Sequence, residues 1–419
     1  MSESKKRKYL SLTILAFGGA MIYTLPYLRW VLWTPLRQAL ALTETQFGFT
    51  MSVFGIFATL TYWPGGWLAD RISPRKLLTF SYVTTGLMGF WLSTFPSYWA
   101  SVVIHGVWGV STSLTFWAAM IRATKDLAAS DEQGRFFGLL ESGRGFFSMV
   151  VNYAVVWFFG VFAAPATGMH WVIIVLSIGA LSAGLVTWTT FKDPAELTPN
   201  PSILKDMGET LKSPMVWALS LIIFTAYVAR CLVGYMTPYL TEVMLVSAAT
   251  TGLLATSWNY IGQFAGGPSG GLIADKIKSR ALVVSIGFAI MVALFLIIYF
   301  IPGQPEFKAA IMGLVMLLFI TLYAVRGVYF ALLDDMGVPP QICGAAIGLA
   351  SLIGFTPEVF VYTWAGSVID KYKAVDQLAD GYGVLFLAGA GAELVGLITA
   401  LVVLVKIRTA KRALVPAAA

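Results

Sequence analysis

The sequence is poor in charge, histidine and cysteine. Charged residues make up only 12% of the 419 positions, whereas 58% are hydrophobic. An ordinary soluble domain carries about 25% charged residues, so this shortage excludes a water-soluble globular protein. With two histidines and two cysteines in the whole chain, we expect neither a disulfide framework nor a paired-histidine metal centre.

The common catalytic signatures are missing as well. The sequence contains no HExxH, no GxSxG and no nucleotide-binding P-loop, each of which supplies the reactive or phosphate-binding groups of a large enzyme class. We therefore expect no enzyme activity, no coupling to ATP, and neither a cofactor nor a metal.

Long apolar runs are present instead. They reach roughly 20 to 28 residues, enough for a helix to cross a hydrocarbon core about 30 Å thick. Because unpaired backbone amides are not tolerated in lipid and the runs do not alternate as in a barrel, the pattern predicts an all-α membrane protein. Twelve transmembrane helices are predicted at 9–34, 46–69, 77–95, 98–123, 136–163, 168–191, 214–241, 248–274, 280–301, 309–333, 341–369 and 382–405.

The first run follows Lys5-Lys6-Arg7-Lys8 in the manner of a signal peptide. It continues past Pro26 and Arg29 without a small-residue cleavage site, so we expect a retained helix.

Most of the basic residues lie in the terminal segments and loops between the predicted helices. Nineteen Lys and Arg fall on the side of the N-terminus and four in the opposite loops. This asymmetry predicts that both termini are cytoplasmic, in a multi-pass protein of the bacterial inner membrane. The net charge of +7 is thereby explained without a nucleic-acid partner.

One loop motif, Gly-x-x-Ala-Asp, occurs twice. Asp70 follows Gly66-Trp-Leu-Ala and Asp275 follows Gly271-Leu-Ile-Ala, 205 residues later. Since this offset is about half of the chain, we expect two pseudo-symmetric six-helix bundles, at 1–191 and 214–406, with a cytoplasmic linker at 192–213 and a tail at 407–419. Arg122 and Arg326 lie at nearly the same offset, which suggests related places in the two bundles.

The loop resembles the conserved motif of the major facilitator superfamily. Its form Asp70-Arg71-x-x-Pro74-Arg75 is similar to that of the organophosphate:phosphate antiporter, or sugar-phosphate permease, family. A closer similarity is to the YihN-type permease branch. It rests on Gly18-Gly19 with Tyr23-x-Leu25-Pro26, on Glu132-Gln133-Gly134-Arg135 with Glu141-x-Gly143-Arg144-Gly145, on Gly266-Gly267-Pro268 and on Gly354-Phe355-x-Pro357.

The resemblance implies the fold of two bundles and transport by alternating access. In sugar-phosphate permeases an arginine in each of helices one and seven grips the phosphate. Arg230, eight residues before Pro238, fits the seventh-helix position. Arg29 lies six residues before Pro35, which directs it to a different helix face and counts against phosphate.

Arginines outnumber acids inside the predicted helices. The arginines are Arg29, Arg122, Arg144, Arg230 and Arg326, and the acids are Glu141, Glu358 and Glu393. A cation at the bilayer centre costs about 2.5–3.5 kcal/mol and is normally paired. The surplus favours an anionic substrate, because a guanidinium matches the oxygens of phosphate, sulfonate or carboxylate.

The predicted substrate-binding residues are arginines with nearby aromatic and amide side chains. They are Arg230, Arg29, Arg326, Arg122, Tyr23, Tyr227, Tyr235, Asn259 and Gln263. Arg122, beside Lys125 near a helix end, could instead gate or snorkel. Arg144 follows Glu141 by three residues, which favours a local ion pair. Glu358 is either a proton-exchanging group or the partner of an arginine on another helix, and Glu393 is expected to face a neighbouring helix.

The charged residues of the repeated loops are predicted to act in gating. They are Asp70, Arg71, Arg75, Asp275, Lys276 and Arg280. The resemblance implies that such residues latch the cytoplasmic ends of the bundles in one state. The alternative is that they only anchor the topology.

These features together predict a permease for a small organic anion such as a sugar phosphate, a sulfonated sugar or a sugar acid. Protons or a counter-anion would drive it, and we expect a monomer in the lipid bilayer. Two alternatives stay open, a proton-coupled exporter of lipids or drug-like molecules and a transporter-fold sensor. The arginine surplus counts against a cationic-drug exporter.

Overall fold

A computed structural model of the chain describes residues 3–69, 71–127, 133–191, 210–338 and 340–413. Within these ranges the secondary structure is helical and includes no β-strand. Each of the twelve predicted spans corresponds to helix, and the all-α prediction is confirmed.

The helices divide between two compact units. The first unit comprises Met1–Asn200 and Ser247–Thr256. Its helices are α1 (Glu3–Thr24), α2 (Trp33–Ala39), α3 (Glu44–Ala69), α4 (Pro74–Ser93), α5 (Tyr98–Leu127), α6 (Gln133–Gly160) and α7 (Pro165–Thr190). Helix α5 contains a π-helical segment at Ser111–Trp117.

The second unit comprises Pro201–Val246 and Ser257–Ala419. The helices of this half of the chain are α8 (Pro214–Val243), α9 (Ala248–Ile261), α10 (Gly267–Ile277), α11 (Arg280–Phe300), α12 (Pro305–Asp335), α13 (Pro340–Gly354), α14 (Pro357–Lys373) and α15 (Leu378–Ala413). A π-helical segment, Gly262–Gly266, joins α9 to α10.

The division differs from the predicted bundles in one segment. Ser247–Thr256 belongs to the first unit, although it follows the predicted linker. Gly252 explains the packing, because a Cβ at this position would lie 2.8 Å from the carbonyl oxygen of Val31 and 3.0 Å from Cγ2 of Val156. Only glycine permits so close an approach.

Proline ends two of the predicted spans early. The span at 9–34 was expected as one helix, but α1 ends at Thr24, two residues before Pro26, and a separate 3₁₀ turn follows at Leu28–Trp30. The span at 341–369 is likewise interrupted between Gly354 and Pro357. Proline has no amide hydrogen and disfavours helix in the residue before it, so it starts new helices more readily than it continues old ones.

Seven helical segments of the described residues are long and apolar enough to cross a membrane, by length and composition. They are Tyr98–Leu127, Pro165–Thr190, Pro214–Val243, Arg280–Phe300, Pro305–Asp335, Ala346–Lys373 and Leu378–Thr409. They belong to both halves of the chain, as a polytopic membrane protein requires.

Glycines bring pairs of helices into backbone contact in both units. In the first unit, a Cβ at Gly65 of α3 would lie 2.8 Å from the carbonyl oxygen of Ser113 in α5. In the second, Gly266 and Gly270 contact the backbone of α12. This spacing of small residues allows helices to pack closely in membranes, and it positions the charged and aromatic side chains of each unit.

Candidate substrate-binding site

Charged and aromatic side chains from four helical segments meet in the second unit. We define the C-terminal cluster as Tyr227 and Arg230 of α8, Asn259 of α9, Tyr323 and Arg326 of α12, and Glu358 of α14. The cluster as defined holds two guanidinium groups and one carboxylate, so its formal charge is positive.

Arg326 lies among aromatic rings. Its guanidinium carbon is 5.2 Å from the ring centroid of Tyr323 and 5.9 Å from that of Tyr227, within the range of cation–π attraction. The Tyr323 hydroxyl donates a 2.6 Å hydrogen bond to Oδ1 of Asn259. This bond joins α9 to α12 beside the Arg326 guanidinium.

Tyr227 connects the remaining members. Its phenol interacts electrostatically with Glu358, Arg326 and Arg230, and its ring lies 4.6 Å from that of Phe355 between centroids. The break before Pro357 produces this contact, because it sets Phe355 against Tyr227 and places Glu358 in the first turn of α14.

Three residues predicted to bind the substrate differ from one another in their exposure. Arg230 is partly exposed, one helical turn after Tyr227 on the same face of α8. Gln263 is also partly exposed, in the π-helical segment. Tyr235 is fully buried, and its hydroxyl donates a 2.8 Å hydrogen bond to the Tyr362 carbonyl. Tyr235 therefore packs α8 against α14, and we leave it out of the cluster.

A similar group lies in the first unit. We define the N-terminal cluster as Tyr23 of α1, Trp117 of α5, and Glu141 and Arg144 of α6. Nη1 of Arg144 is 2.6 Å from Oε1 of Glu141, the ion pair that the three-residue spacing predicts. The Arg144 guanidinium also lies 5.8 Å from the ring centroid of Tyr23 and 5.2 Å from that of Trp117.

The glycine pair in α1 makes room for this cluster. A Cβ at Gly19 would lie 2.9 Å from Cδ and from Nε of Arg144. A Cβ at Gly18 would overlap the Tyr82 hydroxyl, and Tyr82 interacts electrostatically with both Arg144 and Tyr23. The motifs around Gly18 and Arg144, far apart in sequence, thus meet between α1 and α6.

Arg29 occupies a different environment from the other candidate arginines. It is 1% exposed, lies in the 3₁₀ turn after α1, and donates a 2.7 Å hydrogen bond to the Phe47 carbonyl. Its guanidinium lies 4.0 Å from the centroid of Phe47 and 4.3 Å from that of Trp33. These contacts favour a packing role, and we leave Arg29 out of the site proposed below.

Arg122 and Arg326 have unlike surroundings despite their matching offset. Arg122 donates a 2.8 Å hydrogen bond to the Ala69 carbonyl at the end of α3, and it lies 3.8 Å from Asp126. Arg326 lies among tyrosines instead. These contacts join the ends of α3 and α5 and favour a packing role for Arg122.

Three of the described gating candidates, Arg71, Arg75 and Arg280, make contacts within their own units. Arg71 donates to the Trp67 carbonyl at 3.2 Å, and the Arg75 guanidinium lies 4.0 Å from the Trp188 ring. Arg280 donates to the Ala331 carbonyl at 3.1 Å and lies near two acids. Those acids are Asp334 and Asp335. Asp275 and Lys276 are exposed, and Asp70 lies outside the described residues.

Two features of the structure, one inside the clusters and one outside them, were not predicted from the sequence. The rings that hold the arginines, Trp117 and Tyr323, were not among the predicted site residues, although their offset of 206 resembles that of the repeated loop. Glu393 of α15 is fully buried, and neither carboxylate oxygen has a hydrogen-bond partner among the described residues. The sequence predicted that Glu393 faces a neighbouring helix. It gave no sign that the carboxylate would lack a hydrogen-bond partner among the described residues.

The family of the chain follows from comparison with known proteins. Residues 10–356 match the sequence family described as the Major Facilitator Superfamily. The chain belongs to this superfamily, which confirms the resemblance drawn from the loop motif and identifies a membrane transporter and not an enzyme.

The relatives include inner membrane proteins. The chain is 31% identical to the inner membrane protein YqcE of Escherichia coli K12 over 99% of its length and 98% of that protein. It is 27% identical to the inner membrane protein YihN of the same organism over 91% of both chains.

The chain also resembles a sugar-acid transporter over a short segment and a solved transporter structure over its full length. The chain is 31% identical over 109 residues, 24% of both chains, to the probable galactarate/D-glucarate transporter GarP of Escherichia coli K12. A bacterial homologue of the human lysosomal transporter Spinster superposes over 100% of both chains with a TM-score of 0.75 at 15% identity. This structural likeness shows the major facilitator fold, with its two bundles of six helices.

Proposed function

We propose that the protein is a secondary active transporter for a small organic anion and that the C-terminal cluster contacts this anion. The observation that carries the proposal is the grouping of Arg230 and Arg326 around the phenol of Tyr227, with Glu358 as the one acid of the cluster. The single carboxylate of the cluster offsets only one of its two guanidinium charges, and a net positive charge inside a membrane protein is costly. A bound anion would supply the second negative charge.

The chemistry of the cluster suits an oxyanion with a polar body. Guanidinium donors match carboxylate or phosphate oxygens in pairs, and the phenols of Tyr227 and Tyr323 can bond to hydroxyl groups or stack on a ring. The partial match to GarP supports sugar acids as the first class to test. Sugar phosphates and sulfonated sugars follow.

Thermal stabilisation of the purified protein by a panel of candidate anions tests the proposal. A ligand at one hundred times its dissociation constant adds about 2.7 kcal/mol of stability to the folded state. We expect galactarate, glucarate, a uronate or a sugar phosphate to raise the melting temperature. If none does while a lipid or a neutral drug-like molecule does, the proposal fails and the exporter alternative replaces it.

The variant Arg230→Ala tests the assignment of the site. It should strongly reduce stabilisation by the anion, because one guanidinium of the C-terminal cluster is lost. The protein should still fold, since Arg230 is a partly exposed side chain on an otherwise well-packed helix. Lys308→Ala removes an exposed cation near the start of α12 and serves as the matched control. A full ligand response in Arg230→Ala would remove Arg230 from the site.

We also propose that both termini face the cytoplasm of a bacterial cell and that the protein acts as a monomer. The nineteen-to-four distribution of basic residues supports the orientation. Reporter fusions at the C-terminus that are active only in the cytoplasm or only outside it would decide the orientation. Activity of the external reporter alone would contradict it.

A further inference from the structure

The two clusters repeat one arrangement of side chains. Tyr23 of α1 and Tyr227 of α8 are 204 residues apart, and each lies near a guanidinium, at 5.8 Å from Arg144 and 5.9 Å from Arg326. A second ring lies 5.2 Å from each guanidinium carbon. That ring belongs to Trp117 in the first unit and to Tyr323 in the second.

An acid completes each arrangement. Glu141 pairs with Arg144, and Glu358 interacts with the phenol beside Arg326. The arginines themselves do not correspond in sequence, because one comes from α6 and the other from α12. The same chemistry is therefore assembled twice from different helices, which the internal repeat alone does not explain.

The side chain of Arg144 is largely buried, whereas that of its ion-pair partner Glu141 is exposed. The Arg144 side chain is 15% exposed and its stem lies against Gly19, while the Glu141 side chain is 54% exposed. An exposed carboxylate exchanges its partner readily, since such ion pairs contribute at most about 1 kcal/mol. Glu141 has room to turn away from Arg144, and the guanidinium then stays near the rings of Tyr23 and Trp117.

We propose that the N-terminal cluster is a second anion subsite, which binds the carboxylate of an organic acid at Arg144 after displacing Glu141. The incoming carboxylate takes over the terminal guanidinium nitrogen that Glu141 occupies, so the charge of the cluster is balanced in both states. The rings of Tyr23 and Trp117 stay within cation–π range of the guanidinium. Gly19 keeps the stem of Arg144 against α1.

The proposal rests on the proposed function, because it takes an organic anion as the transported class. It goes further in assigning a subsite to the first unit and in giving Glu141 the role of an exchangeable counter-ion. A structural ion pair would predict the opposite response to removal of Glu141, namely lower stability and no gain in binding.

The test uses the dissociation constant of galacturonate, a sugar acid with one carboxylate, measured by isothermal titration calorimetry on the purified full-length protein. Glu141→Gln removes the competing charge and should tighten binding by up to about fivefold. Arg144→Gln removes a charge-assisted hydrogen bond and should weaken binding by about 10- to 100-fold. The exposed Lys125→Gln is the control in the same unit, with no expected change.

Gly19→Ala provides an independent perturbation that keeps the charge. The new methyl group must displace the stem of Arg144, so we expect weaker binding with the ion pair still available. Since unfolding cannot produce tighter binding, the gain in Glu141→Gln stays informative even if Arg144→Gln does not fold.

Galacturonate binding by the wild type and the variants distinguishes failure of the second subsite from failure of the proposed function. If the wild type binds galacturonate, Arg230→Ala loses binding, and neither Glu141→Gln nor Arg144→Gln changes it, the proposed function stands and the second subsite is refuted. If neither galacturonate nor any other acid of the panel binds the wild type, both are overturned.

Discussion

Gly266→Ala is the substitution whose effect follows most directly from the packing. A Cβ at Gly266 would overlap the carbonyl oxygen of Ile320 and lie 2.9 Å from Cβ of Tyr323. Carbon atoms in contact prefer about 3.5–4.0 Å, so the π-helical segment and α12 would have to separate by at least about 0.6–1.1 Å to relieve the contact with Tyr323 alone. Overpacking of this kind costs roughly 1–3 kcal/mol.

The same shift should reach the C-terminal cluster. Tyr323 is the residue that would be pushed, and its hydroxyl bond to Asn259 measures 2.6 Å. We therefore expect Gly266→Ala to lower the melting temperature by a few degrees and also to weaken the response to the anion. A thiol-reactive dye provides the unfolding assay when all variants carry Cys343→Ala, so that only the buried Cys231 reports exposure.

The adjacent glycine supplies the control. A Cβ at Gly267 would meet no atom within 4 Å, and alanine is favoured over glycine in a helix by about 0.5–1 kcal/mol. Gly267→Ala should therefore be neutral or slightly stabilising. If Gly266→Ala melts at or above the temperature of Gly267→Ala, the glycine-mediated approach of the two helices is refuted.

Two further predictions concern stability. Glu393→Leu should raise the melting temperature, because a buried carboxyl group without a hydrogen-bond partner costs about 1–3 kcal/mol; a lower melting temperature would mean that the carboxyl group has a stabilising partner. Arg122→Ala should lower it, because a charge-assisted hydrogen bond to the Ala69 carbonyl contributes about 1.5–3 kcal/mol, whereas the exposed Lys125→Ala should not. Equal melting temperatures for these last two variants would count against a packing role for Arg122.

Much of the helical plan could be predicted from composition because lipid leaves the backbone few alternatives. The apolar runs located helix at every span. The breaks at Pro26 and Pro357 were harder to foresee, since a proline inside an apolar run can kink a membrane helix or end it, and neighbouring helices decide which. The position of Arg29 outside α1 followed from such a break.

The clusters show where prediction from one sequence stops. Arg230, Arg326 and Tyr227 were recognisable as polar groups in apolar helices, which are usually functional. That Asn259 and Glu358 lie beside them depends on helix packing over the Gly266 contact and on the interruption before Pro357. Such tertiary contacts leave no periodic signal in the sequence.

The N-terminal cluster was easier to predict from the sequence. Gly18-Gly19 and Glu141-x-Gly143-Arg144 stand out as separate motifs, and glycine pairs often mark the approach of another helix. Spacing gave the ion pair between Glu141 and Arg144. It could not show which of these two side chains is fixed and which is exposed, because exposure is set by the surrounding helices.

Transport by the protein reconstituted in lipid vesicles tests the central claim most directly. Vesicles preloaded with an unlabelled sugar acid, or energised by a proton gradient, should accumulate the labelled sugar acid, and Arg230→Ala should abolish the uptake while Lys308→Ala preserves it. Binding of the anion by the wild type without any flux under either condition would contradict a transporter and identify a sensor.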